Sequence, residues 1–129
     1  MDYQVTYKNM FIELQWNAYI IQFTKKNGEN RIMLATRNLD ICKLKYGVLN
    51  AVLNAALYKR DERCDITNGN IAVIDLEIGE PRQFSITSLI SVIRLADIDA
   101  SLAQLDSIDK IDRAIDIVRK IRNKNGDTV

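Results

Sequence analysis

Asp75 and Glu77 stand two apart in the run Val73-Ile74-Asp75-Leu76-Glu77, with Glu80 close behind. On one strand face they form a small carboxylate cluster of the kind that holds Mg²⁺. The simpler reading is the solvated side of a hairpin, because no second acidic motif joins them. Lys25, Lys26, Arg31 and Arg37 gather around Asn27-Gly28. Such a basic group suits RNA or single-stranded DNA when an aromatic ring lies beside it to stack on a base. Tyr19 is the nearest candidate for such a ring. Trp16 is the only tryptophan. A large ring just before a strand is expected to plug the end of a core, with an interface anchor as the alternative. Cys42 and Cys64 have no metal-type spacing and read as free thiols in a reducing compartment.

The chain contains no histidine. That removes the commonest general base and the commonest metal ligand. The sequence also has no glycine-rich phosphate loop, nucleophile elbow or zinc pattern, so the expectation is a protein without catalytic residues or cofactor. Charge is segregated. Residues 1–63 carry 10 Lys/Arg against 6 Asp/Glu, residues 64–109 carry 2 against 8, and residues 110–129 carry 6 against 3. A nucleic-acid binder more often shows one dominant basic surface. A basic half and an acidic half suit a protein partner at least as well.

These residues need a frame. With 129 residues, 47% hydrophobic and 27% charged, the chain has the balance of one globular domain able to bury a core. No apolar run approaches the roughly 18 residues of a membrane span, and Met1-Asp2-Tyr3-Gln4 does not open a secretory leader. The expected location is the cytoplasm.

Tyr19 to Arg37 predicts a β-hairpin turning at Asn27-Gly28, the strongest short-range signal for a two-residue type I′ turn. That turn pairs Lys26 with Glu29, Phe23 with Ile32, Ile21 with Leu34 and Tyr19 with Thr36. The four apolar side chains Phe23, Ile32, Ile21 and Leu34 then share the core face, with Tyr19 turned inward beside Ile21. A second hairpin spans Asn70 to Thr87. A three-residue loop at Gly79-Glu80-Pro81 sorts its faces best, setting Leu76 opposite Phe84 and Ile74 opposite Ile86. Phe23, Ile32, Leu76 and Phe84 are therefore expected to bury together.

Tyr46 to Arg60 predicts a helix with Leu49, Val52, Leu53, Ala56 and Leu57 on one stripe. Ser88 is a candidate N-cap for a short helix carrying Leu89, Val92 and Ile93. Ser107 to Asn123 predicts the strongest helix, with Ile108, Ile111, Ile115, Val118 and Arg122 at 3-4 spacing and acid-before-base pairs Asp106–Lys110, Asp109–Arg113 and Asp116–Lys120. Its apolar stripe, Ile111, Ile115 and Val118, either folds back onto the sheet or pairs with a second copy as a homodimer. Asn125-Gly126 is a natural stop. Tyr3 to Gln15 is open between an edge strand and a turn of helix.

Two pieces together resemble a small family of tailed-phage proteins described as an Sm-like, SH3-like barrel related to the WYL domain. They are Phe23-Thr24-Lys25-Lys26-Asn27-Gly28 with Arg31-Ile32-Met33 and Ala35-Thr36, and Val73-Ile74-Asp75-Leu76-Glu77 with Arg82-Gln83-Phe84-Ser85-Ile86 and Ser88-Leu89-Ile90. Unlike that family, this chain inserts a helix over Asn38 to Asn68 and lacks the Trp-Tyr-Leu triplet. The resemblance implies a barrel and a phage origin and carries over no catalytic residue.

The expected fold is thus α+β: a small antiparallel SH3-like or Sm-like barrel, or bent sheet, made from two hairpins. Residues 1–100 form this part with a helical insert at about 40–64, and residues 101–129 form a C-terminal amphipathic helix beyond a hinge at Asp97–Ser101. The expected function is a non-enzymatic phage-encoded protein that engages a host protein, such as the transcription apparatus or a defence factor. An RNA or single-stranded DNA binder and a small-ligand sensor are the alternatives. Candidate partner-binding residues are Trp16, Lys25, Lys26, Arg31, Arg37, Asp75, Glu77, Ile111, Ile115 and Val118.

Overall fold

The computed structural model describes residues 3–47 and 50–125. Helix α1 (Tyr3–Trp16) leads into strands β1 (Ala18–Thr24) and β2 (Asn30–Thr36), then helices α2 (Leu39–Tyr46) and α3 (Asn50–Asp61). Strands β3 (Asn70–Asp75) and β4 (Glu80–Ser85) follow. A 3-10 turn at Ile86–Ser88 delivers the chain to β5 (Leu89–Arg94), and helices α4 (Leu95–Ile98) and α5 (Ile108–Asn125) complete it. The protein is α+β, with one antiparallel sheet in the order β4-β3-β2-β1-β5.

The sheet is strongly curled but not closed. Strands β4 and β5 lie at opposite edges, yet only residues 86–88 connect them. Four residue steps reach about 14 Å at most, whereas the edges of a flat five-stranded sheet stand roughly 19 Å apart. The Phe23 ring on β1 and the Phe84 ring on β4 are 5.9 Å apart between centroids, although two strands separate them in the order. Curling places them across one concave interior.

Both faces of the central strands β1, β2 and β3 are largely buried, while Ile90 and Val92 on edge strand β5 stay exposed. The concave face gathers Tyr19, Ile21, Phe23, Met33, Ile71, Val73 and Phe84 beneath Tyr7, Met10 and Leu14 of α1. The convex face gathers Ile20, Ile32, Leu34, Ile74 and Leu76 beneath Ile41, Cys42 and Leu57 of the inserted helices and Ile111, Ala114, Ile115 and Val118 of α5. The expected group of four is therefore split: Phe23 and Phe84 meet inside, Ile32 and Leu76 outside. A one-residue slip in the first hairpin parts Phe23 from Ile32, and a displaced second hairpin parts Leu76 from Phe84. Phe23 pairs with Arg31, Ile21 with Met33 and Tyr19 with Ala35. Gly28 N–H donates to Lys25 at 2.9 Å, Lys25 N–H donates to Glu29 at 2.7 Å, and Gly28 alone takes positive φ, +88°. This is a type I turn closed by a glycine bulge, not a type I′ turn, and it leaves Asn27 with ordinary φ. The ion pair beside it is Lys25–Glu29 at 3.2 Å, in place of Lys26–Glu29.

The second hairpin is also displaced. Ile71 pairs with Phe84 and Ile74 with Pro81, and the turn is Leu76 to Gly79. Pro81 sits in a strand, tolerated because β4 is an edge with no ladder partner on its far side. Leu89 to Arg94 is a strand on β1 and not a helix. Its β-branched residues fill the edge that β1 offers, with a register shift at Gln22/Phe23. Ser85, three residues before Ser88, is the capping side chain, accepting the Thr87 N–H.

Helix α1 resolves the ambiguous N-terminal stretch, and Gly47, at φ +63°, separates α2 from α3 within the expected insert. Leu57 is buried; Leu49 lies outside the described residues, as do the side chains of Val52 and Leu53. Asn125 is the last described residue of α5, and Gly126 lies outside them. Of its predicted pairs, Asp106–Lys110 forms at 2.9 Å, while Arg113 turns instead to Asp99 at 2.6 Å. Leu102 and Leu105 share the convex core with α5, so Asp97–Ser101 joins parts of one core and is no hinge between separate ones.

Candidate functional site

Several candidates are consumed by the fold. Arg37 makes a bidentate pair with Asp61 at 2.9 and 3.0 Å, donates to the Ala72 carbonyl at 2.7 Å and lies 4.3 Å over the Phe11 ring. It joins α3, β3 and α1. Asp75 is buried, pairs with Arg82 at 3.2 Å and accepts the Glu77 N–H at 3.0 Å. Burial raises its carboxyl above the ordinary range against the pull of that N–H and Arg82. Glu77 turns to α5: Arg122 donates to both of its carboxylate oxygens, at 2.7 and 3.1 Å, and Arg119 adds a bond at 3.0 Å. Hydrogen bonds from Arg122 hold its carboxyl below the usual value. Asp75 and Glu77 therefore do not act as one cluster. Among the described residues no group of three or more acidic, thiol or imidazole side chains converges as metal ligands.

Ile111, Ile115 and Val118 are buried in the convex core. The stripe thus takes the intramolecular of its two expected arrangements and is not free for a second copy. Cys42 is fully buried, its thiol pushed up to about 12 by desolvation, and Cys64 is a second free thiol.

Two places remain open. Trp16 was expected in the core but is 76% exposed. The end of α1 is pinned through its backbone: the Leu14 carbonyl accepts Arg37 N–H at 2.8 Å and the Trp16 carbonyl accepts from Asn38 Nδ2 at 3.2 Å. With the backbone so held, the indole points away from the sheet. Ile12, one turn earlier, is 54% exposed, and Leu44 of α2 is 40% exposed. Trp16, Ile41, Leu44 and Leu105 line a shallow depression of about 310 Å³ together with the polar residues Asp40, Asp106, Asn38 and Gln104.

The second place is where the curled sheet fails to close, between the first hairpin and edge strand β4. Lys25, Lys26 and Arg31 come together there, as their sequence spacing suggests. They line a depression of about 240 Å³ with Asn70, Gln83, Ser85 and Ser88, floored by Phe23 and Phe84. The neutral half could not be read from sequence: Asn, Gln and Ser carry no motif, and they lie far from the hairpin along the chain. Burial, then the neighbouring Arg82, lowers the Arg31 guanidinium from its ordinary value.

With that geometry in view, comparison with known proteins returns nothing: no family model, curated protein or solved structure matches this chain. No helix among the described residues is long and apolar enough to cross a membrane.

Proposed function

We propose that this chain is a non-enzymatic, phage-encoded binding protein of the SH3-like or Sm-like barrel type, and that it engages a bacterial host protein through the end of α1. The four-strand meander, the curl and the return of β5 onto β1 support the barrel reading. Phage origin and a host partner rest on the sequence resemblance. The absence of histidine from the sequence supports a binding role over an enzymatic one.

The observation that carries the reading is the exposure of Trp16 beside Ile12 and Leu44. Tryptophan is the side chain most enriched among residues that dominate binding energy. The depression beside Trp16 is lined by Asp40 and by Asp106, the latter paired with Lys110 at 2.9 Å, and fits a partner with an apolar pocket and a basic contact for Asp40. Affinity capture from bacterial lysate tests this with paired baits. Wild type retains a specific partner, and Trp16→Ala loses it while its circular dichroism stays unchanged. Equal recovery by both baits, or no specific partner, removes the proposal.

The RNA or single-strand DNA reading of the first hairpin gains no support from ring geometry. Tyr19, Phe23 and Phe84 are all in the concave core, so no nearby ring face is open to stack a base.

A further inference from the structure

We propose that the depression between the first hairpin and β4 binds a compact phosphoryl anion, either inorganic phosphate or the phosphate of a small phosphomonoester. Three cations, Lys25, Lys26 and Arg31, line it and no carboxylate does; Lys25 is paired with Glu29 at 3.2 Å, and Lys26 and Arg31 have no acidic partner among the described residues. The Arg31 side chain makes no hydrogen bond or ion pair among those formed by the described residues. The two acids that act on it are already engaged, Asp75 by Arg82 at 3.2 Å and Glu29 by Lys25 at 3.2 Å, and Arg82 and Arg122 add positive potential around it. A half-buried guanidinium in a positive field, with its fork unfilled, favours an anion that accepts two parallel N–H bonds.

Neutral donors complete the lining. Gln83 Oε1 accepts from Cys64 Sγ at 3.8 Å, which leaves the amide NH₂ as the free end of that side chain. Asn70 adds a second amide. The floor excludes a nucleobase: Phe23 is 5% exposed and Phe84 is 2% exposed. The volume of about 240 Å³ falls below the roughly 300–1,000 Å³ of sites for larger organic ligands. It suits a phosphoryl group with little attached. None of these residues belongs to the Trp16 face, so this site stands or falls separately from it.

The test is a titration of the full chain followed by ¹⁵N–¹H correlation spectra, at fixed ionic strength. The probes are inorganic phosphate, a 5′-mononucleotide, oligothymidylate, and chloride as the baseline. Saturable phosphate shifts are expected at amides within 24–31 and 83–88. Arg31→Gln weakens binding about tenfold or more, the loss of one charge-assisted bond pair. Lys26→Gln, on an exposed side chain that does not threaten folding, weakens it about threefold; Lys59→Gln, which is not part of the lining, leaves it unchanged. A mononucleotide that binds as well as phosphate or better makes the source a phosphomonoester, and a weaker one makes it the free ion; both support the site. Three results overturn it: shifts that chloride reproduces, phosphate binding indifferent to both Arg31→Gln and Lys26→Gln, or oligothymidylate binding far above the mononucleotide, which assigns the surface to single-stranded nucleic acid.

Discussion

Arg122 and Arg31 meet the same strand, one residue apart, with opposite outcomes. Arg122 reaches β2 from the convex side, donates to the Ile32 carbonyl at 2.8 Å and closes on Glu77 through both carboxylate oxygens. Only its Nε lacks a partner. Arg31 lies on the concave side at the unclosed edge, and no acid of the described chain pairs with it. The first cation fastens α5 and the β3–β4 turn to the sheet. The second contributes nothing of that kind, so the residue is better explained by something the protein binds. A charge satisfied by its own chain is a statement about the fold, and a charge left over is a statement about a ligand.

The largest expected effect lies on the fastened side. Glu77 is 9% exposed and Arg122 is 6% exposed at the side chain. Glu77→Ala strands a buried guanidinium, which costs about 3–5 kcal/mol of unfolding free energy, read from urea denaturation. An effect under about 1 kcal/mol would mean the pair behaves as a surface one. Glu77 also sets a pH signature. Its folded carboxyl lies below the ordinary value of 4.5, so its stabilisation is complete above about pH 4.5 and is lost as pH falls through the folded value. Asp75 works oppositely. Burial raises it from 3.8, so its contribution is complete below that value and fades as pH rises through the folded one. Stability curves of wild type and Glu77→Gln therefore converge below pH 4.5; parallel curves down to acid pH would show that Glu77 is not the group that titrates.

The two turns sharpen the contrast at smaller magnitude. Gly79 closes the turn that carries Glu77, at φ +69°, and a Cβ there would sit 2.7 Å from the Tyr46 ring. That ring is held by its hydroxyl donating to the Leu76 carbonyl at 2.6 Å. Gly79→Ala combines backbone strain with overpacking and costs about 3 kcal/mol. Gly28 closes the turn that presents Lys25 and Lys26, at φ +88°, with nothing within 4 Å of a built Cβ. Gly28→Ala therefore bears the conformational cost alone, about 1 kcal/mol. Thermal unfolding of both variants checks the ratio. Equal costs would mean that Tyr46 yields and the fastened side is looser than its contacts imply.

Both hairpins, α3 of the insert and α5 were legible because periodicity and turn residues mark them without tertiary help, whereas α2 over Leu39–Tyr46 was not read and the single expected helix from Tyr46 starts only at Asn50. Register was not. Sorting apolar from polar fixes a register only when one face meets water, and here α1 covers one side while α2, α3 and α5 cover the other. Asn27-Gly28 marks a turn but serves two turn types, and the choice between them moves every pairing by one residue. The Ser88 cap signal competed with the edge of β1, and the edge won. For the sites, the basic half of the unclosed edge was visible as local charge, whereas Asn70 and Gln83 reach it only through the pairing of β3 with β4. Trp16 failed differently. The pinning of α1 by Thr36, Arg37 and Asn38 decides which way the indole points, and nothing local encodes those bonds.

The smallest expected change in stability belongs to Arg31 and is the most informative for that reason. With no partner to lose and with Arg82 and Arg122 nearby, Arg31→Gln relieves repulsion between like charges. Its stability stays within about 0.5 kcal/mol of wild type, or rises by a few tenths. Any gain shrinks as salt screens the repulsion, since the Debye length falls from about 30 Å at about 0.01 M to about 3 Å at about 1 M, and it shrinks incompletely because Arg31 is half-buried. Urea denaturation at low and high salt reads both effects. A loss above about 1 kcal/mol would show that Arg31 holds a structural bond, making it a second Arg122 and erasing the distinction between the two sides of β2. A neutral or stabilising result leaves Arg31 with no structural use, in a fold that ties Arg37 and Arg122 down through both of their terminal nitrogens.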